Sequence, residues 1–193
     1  MAIDLLPIMS TFAIVALAEF GDKTQIAVID LSAKHKPSSV FMGAVLAFAL
    51  VVGVSVLIGG AIAPYFSTFW IDLAGGISFL IFGVYTLFSR ENRIIKVKEH
   101  SKTVTTSFFL IAIAEFGDKT ELAIIALSAK YAAAQVYLGA MLAFALLTAL
   151  GAVFGKIISR YISARYIKIG ASLIFIVFGV LFLFQAFSGM KLF

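Results

Sequence analysis

The sequence predicts an all-α polytopic membrane protein: six transmembrane helices arranged as two inverted three-helix repeats, with both termini non-cytoplasmic. Three observations carry this. Apolar runs of bilayer length fill the chain, which is 62% hydrophobic with a mean hydropathy of +1.10. Soluble chains average about 45–50% apolar, and a spanning helix needs about 20 mostly apolar residues. The two halves match without a gap at an offset of 96 residues. The basic residues fall almost entirely in alternate connections between the runs.

The first run extends from about Leu5 to Leu31 and ends at Lys34-His35-Lys36-Pro37, where proline stops a helix. The second runs from about Val40 to Ala63, before Pro64. Tyr65 and Trp70 then mark an interfacial aromatic belt. The third runs from about Ile71 to Phe88. A polar, basic segment follows, read as a solvated loop or a short surface helix. The fourth, fifth and sixth runs extend from about Thr106 to Ala129, Val136 to Ile158 and Tyr166 to Phe187. The chain thus divides into repeat one (1–89), a basic cytoplasmic linker (90–105) and repeat two (106–193).

The repeat match is extensive. Leu31-Ser32-Ala33-Lys34 corresponds to Leu127-Ser128-Ala129-Lys130, Gly43-Ala44 to Gly139-Ala140, and Leu46–Leu50 to Leu142–Leu146. Phe82-Gly83-Val84 corresponds to Phe178-Gly179-Val180. With three helices per repeat, the second copy enters the membrane from the opposite side. Such repeats are related by an axis in the membrane plane, and their sites lie near the midplane. One face would carry Lys34, Lys36, Arg90, Arg93, Lys96, Lys98, Lys102, Lys156, Arg160, Arg165 and Lys168; the other only Lys130 and Lys191. The basic face is therefore expected to be cytoplasmic.

Composition also excludes. There is no cysteine, so disulfides and thiolate metal sites are out. His35 and His100 lie in polar connections, which leaves no imidazole-rich site in the membrane. The net charge of +5 reads as a topology signal rather than a nucleic-acid footprint. The N-terminus lacks a basic n-region and its apolar run is too long for a cleaved signal peptide.

One hexapeptide occurs twice: Glu19-Phe20-Gly21-Asp22-Lys23-Thr24 and Glu115-Phe116-Gly117-Asp118-Lys119-Thr120. Charge at membrane depth costs about 2.5–3.5 kcal/mol per residue and marks function by default. On a continuous helix, i and i+3 share a face, so Glu19 would converge with Asp22 and Glu115 with Asp118. Gly21 and Gly117 permit either close helix approach or local unwinding. Thr24, Gln25, Thr120 and Glu121 add oxygens as secondary metal or proton ligands. Opposed repeats would bring the four carboxylates together as a metal site. Lys23 and Lys119 compensate two of the four negative charges, and a divalent cation would neutralise the rest. Oxygen-only ligands suit calcium or manganese; magnesium, which dehydrates reluctantly, ranks third. Without metal, crowded carboxylates out of water hold protons, since desolvation and like charge both oppose ionisation.

Structural readings stand beside these. Glu19 and Lys23 could form an i,i+4 ion pair. Thr24 and Thr120 could bond back to their own helix. Asp30, whose repeat mate is Ala126, is either a snorkelling surface group or part of an ion pathway. Ser55, Ser78, Thr148 and Ser172 read as packing residues. Glu121, the counterpart of Gln25, is a fifth acid near the motifs.

The doubled E-F-G-D-K-T resembles the E-x-G-D-[KR]-[TS] signature of the Gdt family of cation exchangers, within the calcium:cation antiporter group, and the resemblance covers the full chain. It implies manganese and/or calcium transport coupled to protons, with the acidic residues of the motif at Glu19, Asp22, Glu115 and Asp118. Family members often carry Gln where this chain has Glu121. The expectation is a secondary active transporter, not an enzyme, exporting Mn2+ and/or Ca2+ from the cytoplasm by alternating access. Protons, or alternatively sodium, are the counter-ion, and no cofactor is permanently bound. A prokaryotic plasma membrane is the expected location, for want of an organellar targeting extension. The alternatives are a channel or small-solute exporter, and a membrane-embedded lipid-phosphate enzyme. The last would want an Arg, His or Ser beside the acids, and no Arg or His falls within a predicted span.

Overall fold

A glycine in the left-handed region divides each motif-bearing run into two helices. A computed structural model describes residues 5–88, 102–161 and 164–189. Among these, α1 is Leu6–Glu19, α2 Lys23–Lys34, α3 Pro37–Ile62, α4 Thr68–Phe88, α5 Thr103–Glu115, α6 Lys119–Lys130, α7 Ala133–Tyr161 and α8 Ala164–Ser188. A 3-10 turn, Ala63–Tyr65, joins α3 to α4, and no strand occurs among the described residues. The predicted linker falls largely on 89–101, outside the described residues, as does Lys191. Among the described residues the six predicted runs thus become eight α-helices, because the first and fourth break at the motif.

The break has a local cause. Phe20 sits at φ −62°, ψ 116° and Gly21 at φ 75°. The Asp22 N–H donates to the Glu19 carbonyl at 3.1 Å. These are the marks of a type II turn, which demands positive φ at its third residue and so favours glycine. The second copy repeats it: Phe116 at φ −62°, ψ 119°, Gly117 at φ 77°, and the Asp118 N–H 3.0 Å from the Glu115 carbonyl. Asp22 and Asp118 then stand at the N-cap positions of α2 and α6, where aspartate is favoured. Pro37 does not only end the first run; it is the first residue of α3, where its missing N–H costs nothing.

Among the described residues, three helices have the length and apolarity to cross a membrane: Pro37–Tyr65, Thr68–Phe88 and Ala133–Val153. Shorter apolar helices cover Leu6–Glu19, Thr103–Glu115 and Ser172–Ser188. At 1.5 Å per residue the 26 residues of α3 reach about 39 Å, against a hydrocarbon core of about 30 Å. Large apolar side chains such as Leu50, Leu57, Ile81, Leu142 and Val177 face outward, as lipid allows.

Packing is reciprocal between the halves. α3 lies against α5 and α6, while α7 lies against α1 and α2. α3 also meets its own counterpart α7, and α4 meets α8. The Phe48 and Phe144 rings, 96 residues apart, stack with centroids 3.9 Å apart. Phe79 and its counterpart Phe175 approach at 5.9 Å. Glycines set the closest crossings. A Cβ on Gly43 would meet the Val104 carbonyl and Ser107; on Gly139, the Ile8 carbonyl and Thr11. These contacts are equivalent under the same offset. The helices α1–α2 and α5–α6 are thereby held against a frame of α3 and α7, with the two breaks facing each other.

Candidate metal centre

Four side-chain bonds at the motifs cross between the halves. The Lys23 ammonium donates to Asp118 Oδ1 at 2.7 Å, and the Lys119 ammonium donates to Asp22 Oδ2. The Thr24 hydroxyl donates to Glu115 Oε1, and the Thr120 hydroxyl to Glu19 Oε1. Each bond and its partner are equivalent at the 96-residue offset. The turn explains the exchange. With the helix broken between Glu19 and Lys23, the i,i+4 pairing is lost, and both lysines point at the opposite aspartate. The expected i,i+3 face is likewise replaced: Glu19 ends α1, Asp22 caps α2, and the turn holds them together.

Glu19, Asp22 and Asp118 each place a carboxylate oxygen within 4.8 Å of the others, and no other such acidic group occurs among the described residues. Glu115 is buried beside them, held by Thr24, without joining the trio. Asp118 Oδ2 is buried and has no hydrogen-bond partner. In water-poor surroundings an acceptor left this way is costly; a cation among the three carboxylates would satisfy it. Oxygen donors at this spacing fit a hard divalent cation. The lysines differ: the Lys119–Asp22 side chains are only 7% and 3% exposed, those of Lys23–Asp118 25% and 14%.

Gln25 and Glu121 lie behind the turns. Gln25 Oε1 accepts from the Gly21 N–H, and Glu121 Oε2 from the Gly117 N–H. Each thus ties down the glycine that makes the break. Either side chain offers the needed oxygen, which is why glutamate can stand where the first copy has glutamine. Glu121 Oε1 lies 3.4 Å from the Ser55 hydroxyl, which also bonds back to the Val51 carbonyl at 2.8 Å. A cavity of ≈ 10 Å³, room for about one water, opens beside Glu19 between Thr24, Gln25 and Thr148, against the stacked Phe48 and Phe144.

A family model described as "Divalent cation/proton antiporter GDT1" matches residues 7–93 and 103–190. The chain belongs to the GDT1 family. It is therefore a membrane cation/proton antiporter rather than an enzyme. The chain is 26% identical to a GDT1-like protein of Schizosaccharomyces pombe, over 88% of this chain and 86% of that one. It is 29% identical to a GDT1-like protein of Synechocystis, over 86% and 91%. The Divalent cation/proton antiporter GDT1 of Saccharomyces cerevisiae is 22% identical, over 93% and 84%. No solved structure matches.

Sequence reasoning missed a second buried ion pair, Asp72 with Lys130. The available signal was Asp72 itself, the one charged residue of the third apolar run. Asp30 pairs with Lys34 at 2.9 Å on its own helix, in the open.

Proposed function

We propose that this GDT1-family antiporter exports Mn2+ or Ca2+ from the cytoplasm in exchange for protons, with Glu19, Asp22, Glu115 and Asp118 as the cation-binding carboxylates. The observation that carries the reading is the convergence of Glu19, Asp22 and Asp118 oxygens within 4.8 Å, with the orphaned Asp118 Oδ2 beside them. Glu115 completes the set by a small turn of its side chain away from Thr24. The crossed lysines supply the rest of the cycle. When the cation is bound, the aspartates turn to it and their ion pairs loosen. When it leaves, Lys23 and Lys119 return to Asp118 and Asp22, and protons neutralise the glutamates. Thr24 and Thr120 orient those glutamates toward the centre.

The topology that fits this is six crossings in two inverted repeats, with α1–α2 and α5–α6 each crossing once as a broken helix and both termini non-cytoplasmic. Broken helices are tolerated at membrane depth where they line a site. The reciprocal packing, and the basic residues gathered in alternate connections, support it. Alternating access then requires the α1–α2 and α5–α6 arms to shift against the α3–α7 frame.

The test is uptake of Mn2+ and of Ca2+ into proteoliposomes with and without an imposed pH gradient. Uptake driven by the gradient, and lost in Glu19→Gln and Asp118→Asn, is the expected result. Flux indifferent to the gradient would indicate a channel. Unimpaired exchange in both variants would remove the proposed centre.

A further inference from the structure

The duplication predicts that the two ends of the α2 and α6 helices should look alike, and they do not. At the end of α2, Lys34 turns back one turn to Asp30 on its own helix, with both side chains about 60% exposed. At the end of α6, the equivalent Lys130 has Ala126 in place of that aspartate. It reaches instead across the bundle, to Asp72 Oδ1 of α4 at 2.8 Å and to Gln185 Oε1 of α8. Its ammonium also stands 4.5 Å from the centre of the Phe182 ring, a favourable cation–π approach. Asp72 and Lys130 are nearly enclosed, their side chains 5% and 7% exposed.

The sequence forbids the same arrangement at the other end. The repeat position of Asp72 is Lys168, a residue of the same charge as Lys34, and that of Gln185 is Ser89. Asp30, which has no acidic counterpart, serves there as the local partner that keeps Lys34 on its own helix. The asymmetry is thus built from three differences between the copies, at positions 30/126, 72/168 and 89/185.

The placement matters because of what the contact joins. α4 and α8 pack on each other as a pair, while α6 is the arm that carries Asp118, Lys119 and Thr120 at its start. Lys130 ties the far end of that arm to the pair. The tie lies at the end of the bundle marked by the exposed Tyr65, Trp70 and Phe187. Ala126 fills the gap beneath it: a Cβ on Gly75, one turn along α4 from Asp72, would stand 3.6 Å from the Ala126 Cβ. A buried ion pair is a poor source of net stability against apolar side chains of the same shape, but it resists separation strongly once made. It suits a contact that must be either fully closed or fully open.

We propose that Asp72, Lys130 and Gln185 form a one-sided lock, closing the bundle at the aromatic end by fastening the α6 arm to the α4–α8 pair. The lock parts when the metal centre opens to that end, and among the described residues the opposite end shows only the exposed Lys34–Asp30 pair. This rests on the alternating-access reading. It extends that reading by assigning positioning residues for one of its two openings.

The cysteine-free chain allows a direct test. A single thiol is placed at Ala126→Cys, and a second protein carries Val40→Cys, fully buried near the start of α3 at the other end. Reaction with a water-soluble maleimide is timed for the purified full chain, alone and with Lys130→Met or the milder Gln185→Leu. The expected result is slow labelling at residue 126 in the parent, at least about tenfold faster labelling in both variants, and no labelling at residue 40 in any. Unchanged labelling at residue 126 in both variants would overturn the proposal. So would parallel exposure of residues 40 and 126, which would make the cluster a support for the whole fold. Labelling reports access and not flux, so a failed lock and a failed exchange mechanism give different results.

Discussion

Replacing Gly117 with alanine distinguishes a broken motif helix from a continuous one by the sign of its effect. In a continuous helix the change would stabilise, because glycine in a helix interior costs roughly 0.5–1 kcal/mol relative to alanine. In the structure Gly117 has φ 77°, and an added Cβ would meet nothing within 4 Å. Steric clash with neighbours therefore contributes nothing, and the whole penalty is conformational. The left-handed region costs an L-residue about 1–2 kcal/mol. The two descriptions thus differ by about 1.5–3 kcal/mol. Gly60 is the matched control: it lies within α3 and also has open space around its missing Cβ. Thermal unfolding of the detergent-solubilised protein should show Gly117→Ala lowered and Gly60→Ala equal or raised. At about 2–4 °C per kcal/mol for a chain of this size, the Gly117 loss is about 2–8 °C. Gly117→Ala as stable as the parent, or more so, would refute the type II turn as the device that organises the centre.

Other outcomes follow from the crossed contacts. Thr120→Val removes the hydroxyl that orients Glu19 while keeping its shape, and hydrogen bonds to charged groups contribute about 1.5–3 kcal/mol; KM for the cation should rise about tenfold or more in flux assays. Breaking a buried ion pair costs about 3–5 kcal/mol, and the Lys119–Asp22 pair is the more buried of the two. Lys119→Met should therefore destabilise the protein more than Lys23→Met in the same unfolding assay, and the reverse order would contradict the geometry. Protons and the cation compete for the same carboxylates, and ligands must be deprotonated to bind metal. Cation affinity should accordingly tighten from pH 6 to pH 8 in equilibrium binding, and Glu19→Gln should flatten that dependence.

Much of this was legible in the residues. The 96-residue offset gave the duplication, and the structure's reciprocal contacts follow it, from Phe48 on Phe144 to Thr24 on Glu115. The doubled hexapeptide pointed to the residues that now sit together. What remained hidden was decided by a single torsion. Glycine in a membrane helix signals either close packing or unwinding, and only the positive φ of Gly21 and Gly117 separates them. That torsion also reversed the pairing of Lys23, which on a continuous helix would meet Glu19 and across the break meets Asp118. Asp72 and Lys130 were hidden for a different reason: 58 residues separate them, and no local spacing brings an acid on α4 to the end of α6.

The central claim is that one centre exchanges a divalent cation for protons. Calorimetric titration of Mn2+ or Ca2+ into the purified protein, repeated in buffers of different ionisation enthalpy, counts the protons released per cation bound. Four carboxylates set against two lysines leave two negative charges for protons to neutralise in the cation-free centre. The account therefore predicts release of about two protons per cation, and no binding heat in Glu19→Gln with Asp118→Asn. Cation binding that releases no protons, with the same heat in every buffer, would contradict it.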